Sequence, residues 1–329
     1  MLNHTIDPHT FYKYKYLYND LEKLDYDTLS KNTHPIAISI LEKNIDYINW
    51  HYLSSNINAI HILEQYPDKI NWYYLSLNPN AIPLLEKYTD KINWWHLSSN
   101  INAIPILEHY PDKINWDTIS FNKNAIHLLE RNINKINWMW LSYNPNAIHI
   151  LEQNIDKIDW EGLCLNPNAI HILEQPRYFT KLYWPNLCKN PNAILILEKN
   201  SVKIHWDNLS MNPNAIHLLE KNIDKINWYY LSLNPNAIPL LEKYTDKINW
   251  YALSHNPNSI ELLNKNRDKI MWYYFSSNPN LFEVNIIDMS KKRTRIIEHE
   301  LIETSLQPSR IKQCLDFITY KRWYLENDI

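Results

Sequence analysis

The sequence predicts an all-α protein, an α-solenoid of about twelve 22-residue helix-turn-helix repeats with terminal caps. Three observations carry that prediction. Tryptophan recurs on a ruler: Trp50, Trp72, Trp94, Trp116, Trp138 and Trp160 are each 22 residues apart. After one step of 24 to Trp184, the spacing of 22 resumes through Trp206, Trp228, Trp250 and Trp272. Within each unit the apolar residues recur at helical intervals. Finally, NWYYLSLNPNAIPLLEKYTDKINW occurs twice unchanged, at 71–94 and 227–250, as in a tandem array with two nearly unedited copies.

The elements follow in order. Residues 1–25, Tyr-rich from Phe11 to Tyr18, are expected to cap one end. A degenerate first unit begins at Tyr26, with Leu29, Ser30 and Asn32 in register and about two extra residues near Thr33 and His34. The array then runs to residue 288, each unit reading W-x-x-L-S-x-N-P-N-A-I-x-L-L-E-K-N-x-D-K-I-N. In Asn212–Asn222, residues Ala215, Ile216, Leu218 and Leu219 form one apolar face, with His217, Glu220 and Lys221 opposite. Asn212 then Pro213 reads as an N-cap followed by proline at the first helical position. A second helix spans Asp224–Ser232, capped by Asp224 or Asn227, with Ile226, Trp228 and Leu231 facing a core. A leucine-rich β-solenoid has a similar period, but its register puts a required leucine where Asp117, Glu161 and Pro185 stand. Residues 160–183 form a 24-residue irregular unit containing EQPRYFTKLYW. Residues 289–329 leave the pattern, open on the basic Lys291–Arg295 run, and are expected to form a helical cap. The expected object is an open stack of twelve layers, roughly 100 Å long at ~8–10 Å per layer, with Trp138 buried at its middle.

Composition narrows the function classes. Gly162 is the only glycine, so phosphate-cradling loops, dinucleotide fingerprints and the G-x-S-x-G elbow are all absent. A net charge of −3 gives no reason to expect nucleic acid or an anionic membrane as partner. No apolar run reaches the ~18 residues of a membrane span. The N-terminus lacks a secretory layout, which points to the cytosol. Cys164, Cys188 and Cys314 are too few and irregular for a disulfide framework or zinc site. Cys164 and Cys188 occupy a slot that is otherwise serine and read as reduced space-fillers.

The phrases NPNAI, LLEKN and DKINW resemble the short tandem repeats encoded in many copies by giant viruses of the mimivirus group, over about 250 residues. The resemblance implies a setting in infected-cell cytoplasm and supplies no catalytic residues. The expected function is a non-enzymatic scaffold presenting an elongated surface to a protein partner, without cofactor or metal. The alternative is a self-associating structural component of a virus particle.

Function, on this reading, is written in the variable slots. His61, His127, His149, His171 and His217 follow Asn-Ala-Ile or its equivalent, with Pro83, Pro105 and Pro239 elsewhere, and read as a polar face. The two slots after each tryptophan are aromatic near both ends of the array and polar in the middle. Tyr73, Tyr74, Trp95, His96, Tyr229, Tyr230, Tyr251, Tyr273 and Tyr274 are the candidate partner-binding residues, because large amphipathic rings are enriched at interfaces. Arg177, Tyr178 and Phe179, in the irregular turn, are candidates for a binding loop.

Overall fold

The first eleven repeats each pair two short α-helices joined by turns, and of the twelfth the helix Trp272–Phe275 is described. The computed structural model describes residues 21–282; the terminal caps expected at 1–25 and 289–329, with Cys314, lie almost entirely outside them. In the unit that begins at Trp72, an α-helix Trp72–Leu77 is followed by a 3-10 turn Pro79–Ala81. A second α-helix Ile82–Lys87 and a 3-10 turn Thr89–Lys91 complete it. No strand occurs among the described residues, and none of their helices is long and apolar enough to cross a membrane. The all-α solenoid is therefore as the periodicity predicts.

Caps set the boundaries. Asn71 Oδ1 accepts from the Tyr74 backbone N–H at 3.2 Å, which starts the Trp-led helix at Trp72. Asn227 does the same for Tyr230, so it is the cap, and Asp224 sits in the preceding 3-10 turn Ile223–Lys225. The other expected cap is corrected. Asn212 does not start the Ile-led helix, which begins at Ile216 after Ala215. Its Oδ1 accepts from Asn214 N–H at 3.0 Å, a turn that closes before the helix begins.

The core lies between the Trp-led and Ile-led helices. Leu75, Ala81, Leu84, Leu85 and Ile92 are buried in that unit, and their counterparts are buried in nearly every other. Six-residue helices are too short to persist alone, so each depends on its neighbours. Trp138 is not part of this core. It and the other repeat tryptophans are half-buried, each lying between its helix and a turn. Trp72 packs on Tyr88 with ring centroids 5.3 Å apart, and Lys157 Nζ lies 4.7 Å above Trp138.

Neighbouring units are joined by an asparagine in each turn. Asn144 Nδ2 donates to the Ser120 and Asn122 carbonyls of the preceding unit, both at 3.1 Å. Its Oδ1 accepts from Asn146 N–H at 3.0 Å. The same pair of donations recurs at Asn56, Asn78, Asn100, Asn122, Asn166, Asn190, Asn212, Asn234, Asn256 and Asn278. A serine runs beside it: Ser54 Oγ donates to the Trp50 carbonyl and accepts from the N–H of Asn71, the residue that caps the next unit's Trp-led helix.

The ladder has no free end. Asn32 of the first unit donates to the Ser276 and Asn278 carbonyls of the last, at 3.1 and 2.8 Å. Asp25 N–H donates to Ser276 Oγ at 2.9 Å, and Thr28 Oγ1 donates to the Tyr273 carbonyl. These are the bonds of any internal junction, where Asn49 N–H meets Ser30 Oγ and Thr118 Oγ1 meets the Trp95 carbonyl. The repeats, within residues 16–281, thus close on themselves as a ring of twelve units. This corrects the open stack: the two exposed apolar ends are each other's cover.

The Trp-led helices pack on one another from unit to unit, while the Ile-led helices meet more sparsely. In a closed ring the more tightly spaced layer has the smaller radius, so the Trp-led helices form the inner wall. On that wall Leu75 and Ser76 point into the core. Tyr73 and Leu77, four residues apart and on one helix face, point the other way.

The revised core gives a ranking. Leu141→Ala should cost ~2–5 kcal/mol in equilibrium urea unfolding, the range for a fully buried leucine. Trp138→Ala should cost less, ~1–2 kcal/mol, because the ring is only half-buried, with the Lys157 ammonium over it. The reverse order would put the tryptophans back in the core.

Candidate functional site: the aromatic arc of the inner wall

Each pair of slots after tryptophan splits its duties. The first ring faces out: Tyr73, Trp95, Tyr229, Tyr251 and Tyr273 are 48%, 49%, 41%, 40% and 48% exposed. The second turns toward the preceding unit. Tyr74, Tyr230 and Tyr274 are half-buried, and His96 is buried. Contacts therefore run diagonally. Tyr73 meets His96 at 3.5 Å between centroids and Tyr251 meets Tyr274 at 4.0 Å. Tyr229 and Tyr251, both outward, are only 6.3 Å apart. Ring centroids closer than the ~8–10 Å spacing of packed helices fit side chains that converge toward the centre of a concave wall.

Closure changes what the sequence pattern means. Rings that looked like two separate ends are neighbours through the first unit. Going round from Tyr229 and Tyr251 to Tyr273, the row crosses Asp27, then continues through His51, Tyr73 and Trp95. Tyr273 shows the join electrostatically: its phenol pKa is raised, first by burial, then by Tyr52, Asp25 and Asp27 across the seam. Lys31 Nζ lies 3.8 Å above the Tyr52 ring. The Tyr251 phenol is also pushed up, chiefly by its hydrogen bond with Tyr274. The remaining units carry Asp117, Met139, Glu161, Pro185 and Asp207 in the outward slot.

Sequence reasoning missed a second outward position, four residues further along each Trp-led helix. Leu77, Phe121 and Met211 occupy it and are 37%, 46% and 38% exposed. The signal was available in the i, i+4 spacing from Tyr73 to Leu77. The same position explains the only glycine. Tyr143 lies over Gly162 of the next unit, where a Cβ would stand 2.8 Å from its ring. Gly162 makes room for a neighbour's ring inside a helix, at a cost in helix propensity.

The irregular unit does not bring Arg177, Tyr178 and Phe179 to the arc. They lie in a lengthened 3-10 segment, Pro176–Lys181, at the turn after an Ile-led helix. Tyr178 stacks on Trp160 at 4.9 Å, as Tyr88 does on Trp72, with Arg177 over the Tyr178 ring. The two extra residues are taken up by the longer turn. The histidines form a row elsewhere. Nε2 of His61, His127, His149, His171 and His217 lies 2.7–3.0 Å from a glutamate of the preceding unit, half-exposed. Among the described residues no cluster of three His, Cys, Asp or Glu is placed to share a metal.

Cys164 and Cys188 take the serine role in their units. Cys164 Sγ accepts from Tyr183 N–H at 3.4 Å and Cys188 Sγ from His205 N–H at 3.3 Å. Burial pushes the Cys164 thiol up to about 11 and raises Cys188 as well, so both are unreactive thiols.

With this geometry in place, the chain defines a closed α-solenoid with an aromatic arc on its inner wall. No protein-family model matches it, and neither a curated protein nor a solved structure does.

Burial lowers the pKa of His34 and His96; for His255 burial acts first and Lys31 second. A lowered folded-state value means the unfolded chain protonates first as pH falls. Their contribution to stability is fully present above the ordinary histidine value near 6.5, and is lost as pH falls below it. The urea midpoint should therefore drop between pH 7.5 and 5. His96→Thr, copying Thr118 in the equivalent slot, should shrink that drop. An unchanged drop would show that His96 is not held neutral.

Proposed function

We propose that this chain is a non-enzymatic scaffold that holds another protein against the aromatic arc of its inner wall. One observation carries the reading: Tyr73, Trp95, Tyr229, Tyr251 and Tyr273 expose between 40% and 49% of their surface within seven consecutive layers of the ring. A stable fold has no need to show so much ring area in register, and contiguous apolar patches of this kind mark partner sites. Closure replaces the elongated surface with a concave, curved one. The net charge of −3 supports a protein partner over nucleic acid. The likeness to giant-virus tandem repeats supports a setting in infected-cell cytoplasm.

The test combines solution mass with affinity capture from lysate of infected cells. The triple variant Tyr73→Ser, Trp95→Ser, Tyr251→Ser should keep its free energy of urea unfolding within ~1 kcal/mol of the parent, since exposed sites contribute little to stability. It should lose at least tenfold of whatever the parent captures. Val202→Ser, at a 92% exposed turn, should lose nothing. Equal capture by parent and triple variant would overturn the reading. A parent that captures nothing and instead runs as a multimer would favour self-association in a virus particle.

A further inference from the structure

The inner wall is not uniform, and its two halves differ in a way that selects a partner. The outward slots of seven consecutive units, from Tyr229 round through the seam to Trp95, carry rings in all but one, Asp27. The outward slots of the other five carry Asp117, Glu161 and Asp207, separated by Met139 and Pro185. All three carboxylates are exposed. Two of them are held in place by the helix cap of the next unit: Asn137 Nδ2 donates to Asp117 Oδ1 at 2.8 Å and Asn227 Nδ2 to Asp207 Oδ1 at 2.9 Å. Lys31 and Lys189 are the cations at the second outward position, and Lys31 is already over the Tyr52 ring. The wall is therefore apolar and aromatic on one side, and on the other carries three carboxylates against the one cation Lys189, a net acidic face.

Its width is bounded by geometry. Twelve helices at ~8–10 Å centre to centre place opposite helix axes ~30–40 Å apart. Subtracting one helix with side chains, ~10–12 Å, leaves roughly 20–30 Å between facing side chains, room for an α-helix seated on one side with its long basic side chains extended toward the other. We propose that the wall receives one basic amphipathic helix, apolar face on the aromatic arc and Lys/Arg face toward Asp117, Glu161 and Asp207. This rests on the scaffold reading above and adds the chemistry of the partner. Charge complementarity gives the orientation, and the ring faces accept any lysine that strays onto the arc.

The probe is a fluorescent Leu/Lys peptide of ~18 residues, five turns of helix, with leucines on one face and lysines on the other. Controls are the same peptide with Glu for Lys, and a scrambled Leu/Lys peptide without an apolar face. Anisotropy titrations against the full chain should show the basic amphipathic peptide binding at least tenfold tighter than either control. The variant Asp117→Asn, Glu161→Gln, Asp207→Asn should weaken it at least tenfold and flatten its salt dependence. Equal affinity for the acidic and basic peptides, or an unchanged salt dependence in that variant, would overturn the proposal. If the aromatic triple variant loses its captured partner while the basic peptide fails to bind, the charge assignment is wrong and the arc as a docking surface stands.

Discussion

One side-chain amide per repeat holds this molecule together. Each buried asparagine of the NPN or equivalent turn spends both Nδ2 hydrogens on carbonyls of the preceding unit, while its Oδ1 accepts from the backbone two residues on. Few other residues could do this. Aspartate lacks the donors, serine has one, and glutamine carries an extra methylene into a tight turn. A buried carbonyl without a donor costs ~1–3 kcal/mol, so the amide also dictates register between units. The closing bonds from Asn32 to Ser276 and Asn278 obey the same rule, and so a repeat array becomes a ring.

The rest of the architecture follows from that closure. Helices of four to eight residues are viable because neighbours on both sides complete their burial, the first and last Trp-position helices included. The serine ladder tolerates Cys164 and Cys188 because a thiol can accept, less strongly, the same backbone hydrogen bond. Two extra residues at 176–181 are accommodated in a turn, away from the ladder, where Asn190 still reaches Cys164 and Asn166 at 3.0 Å. A wall of Trp-led helices turned inward gathers rings that are far apart in sequence.

Much of this was legible in the sequence. The tryptophan ruler and the helical spacing of Ala215, Ile216, Leu218 and Leu219 specify short paired helices, and the split between Tyr73 and Tyr74 follows from their adjacent places on one helix. Three things were not legible for physical reasons. Asn212 beside Pro213 satisfies the pattern of a helix cap equally well as a ladder residue, because both need a small side-chain acceptor before a turn. Tryptophan suggests a core by its size, yet here it is half-buried, against a tilted tyrosine at Trp72 and under a lysine at Trp138. Closure itself depends on small rotations added over twelve units, which no single repeat displays. Aromatic residues near both ends of the array were its one trace in sequence: they become a single arc only when the ends meet.

The aromatic arc and its acidic counterpart both presuppose that the first unit docks on the last. The direct test compares Asn32→Ala at the seam with Asn144→Ala on the far side, by equilibrium urea unfolding. Each removes two donations to backbone carbonyls, and a closed ring predicts similar losses of ~2–4 kcal/mol for both. A loss at Asn144 with almost none at Asn32 would mean that the array is open at the seam, and the ring would be contradicted.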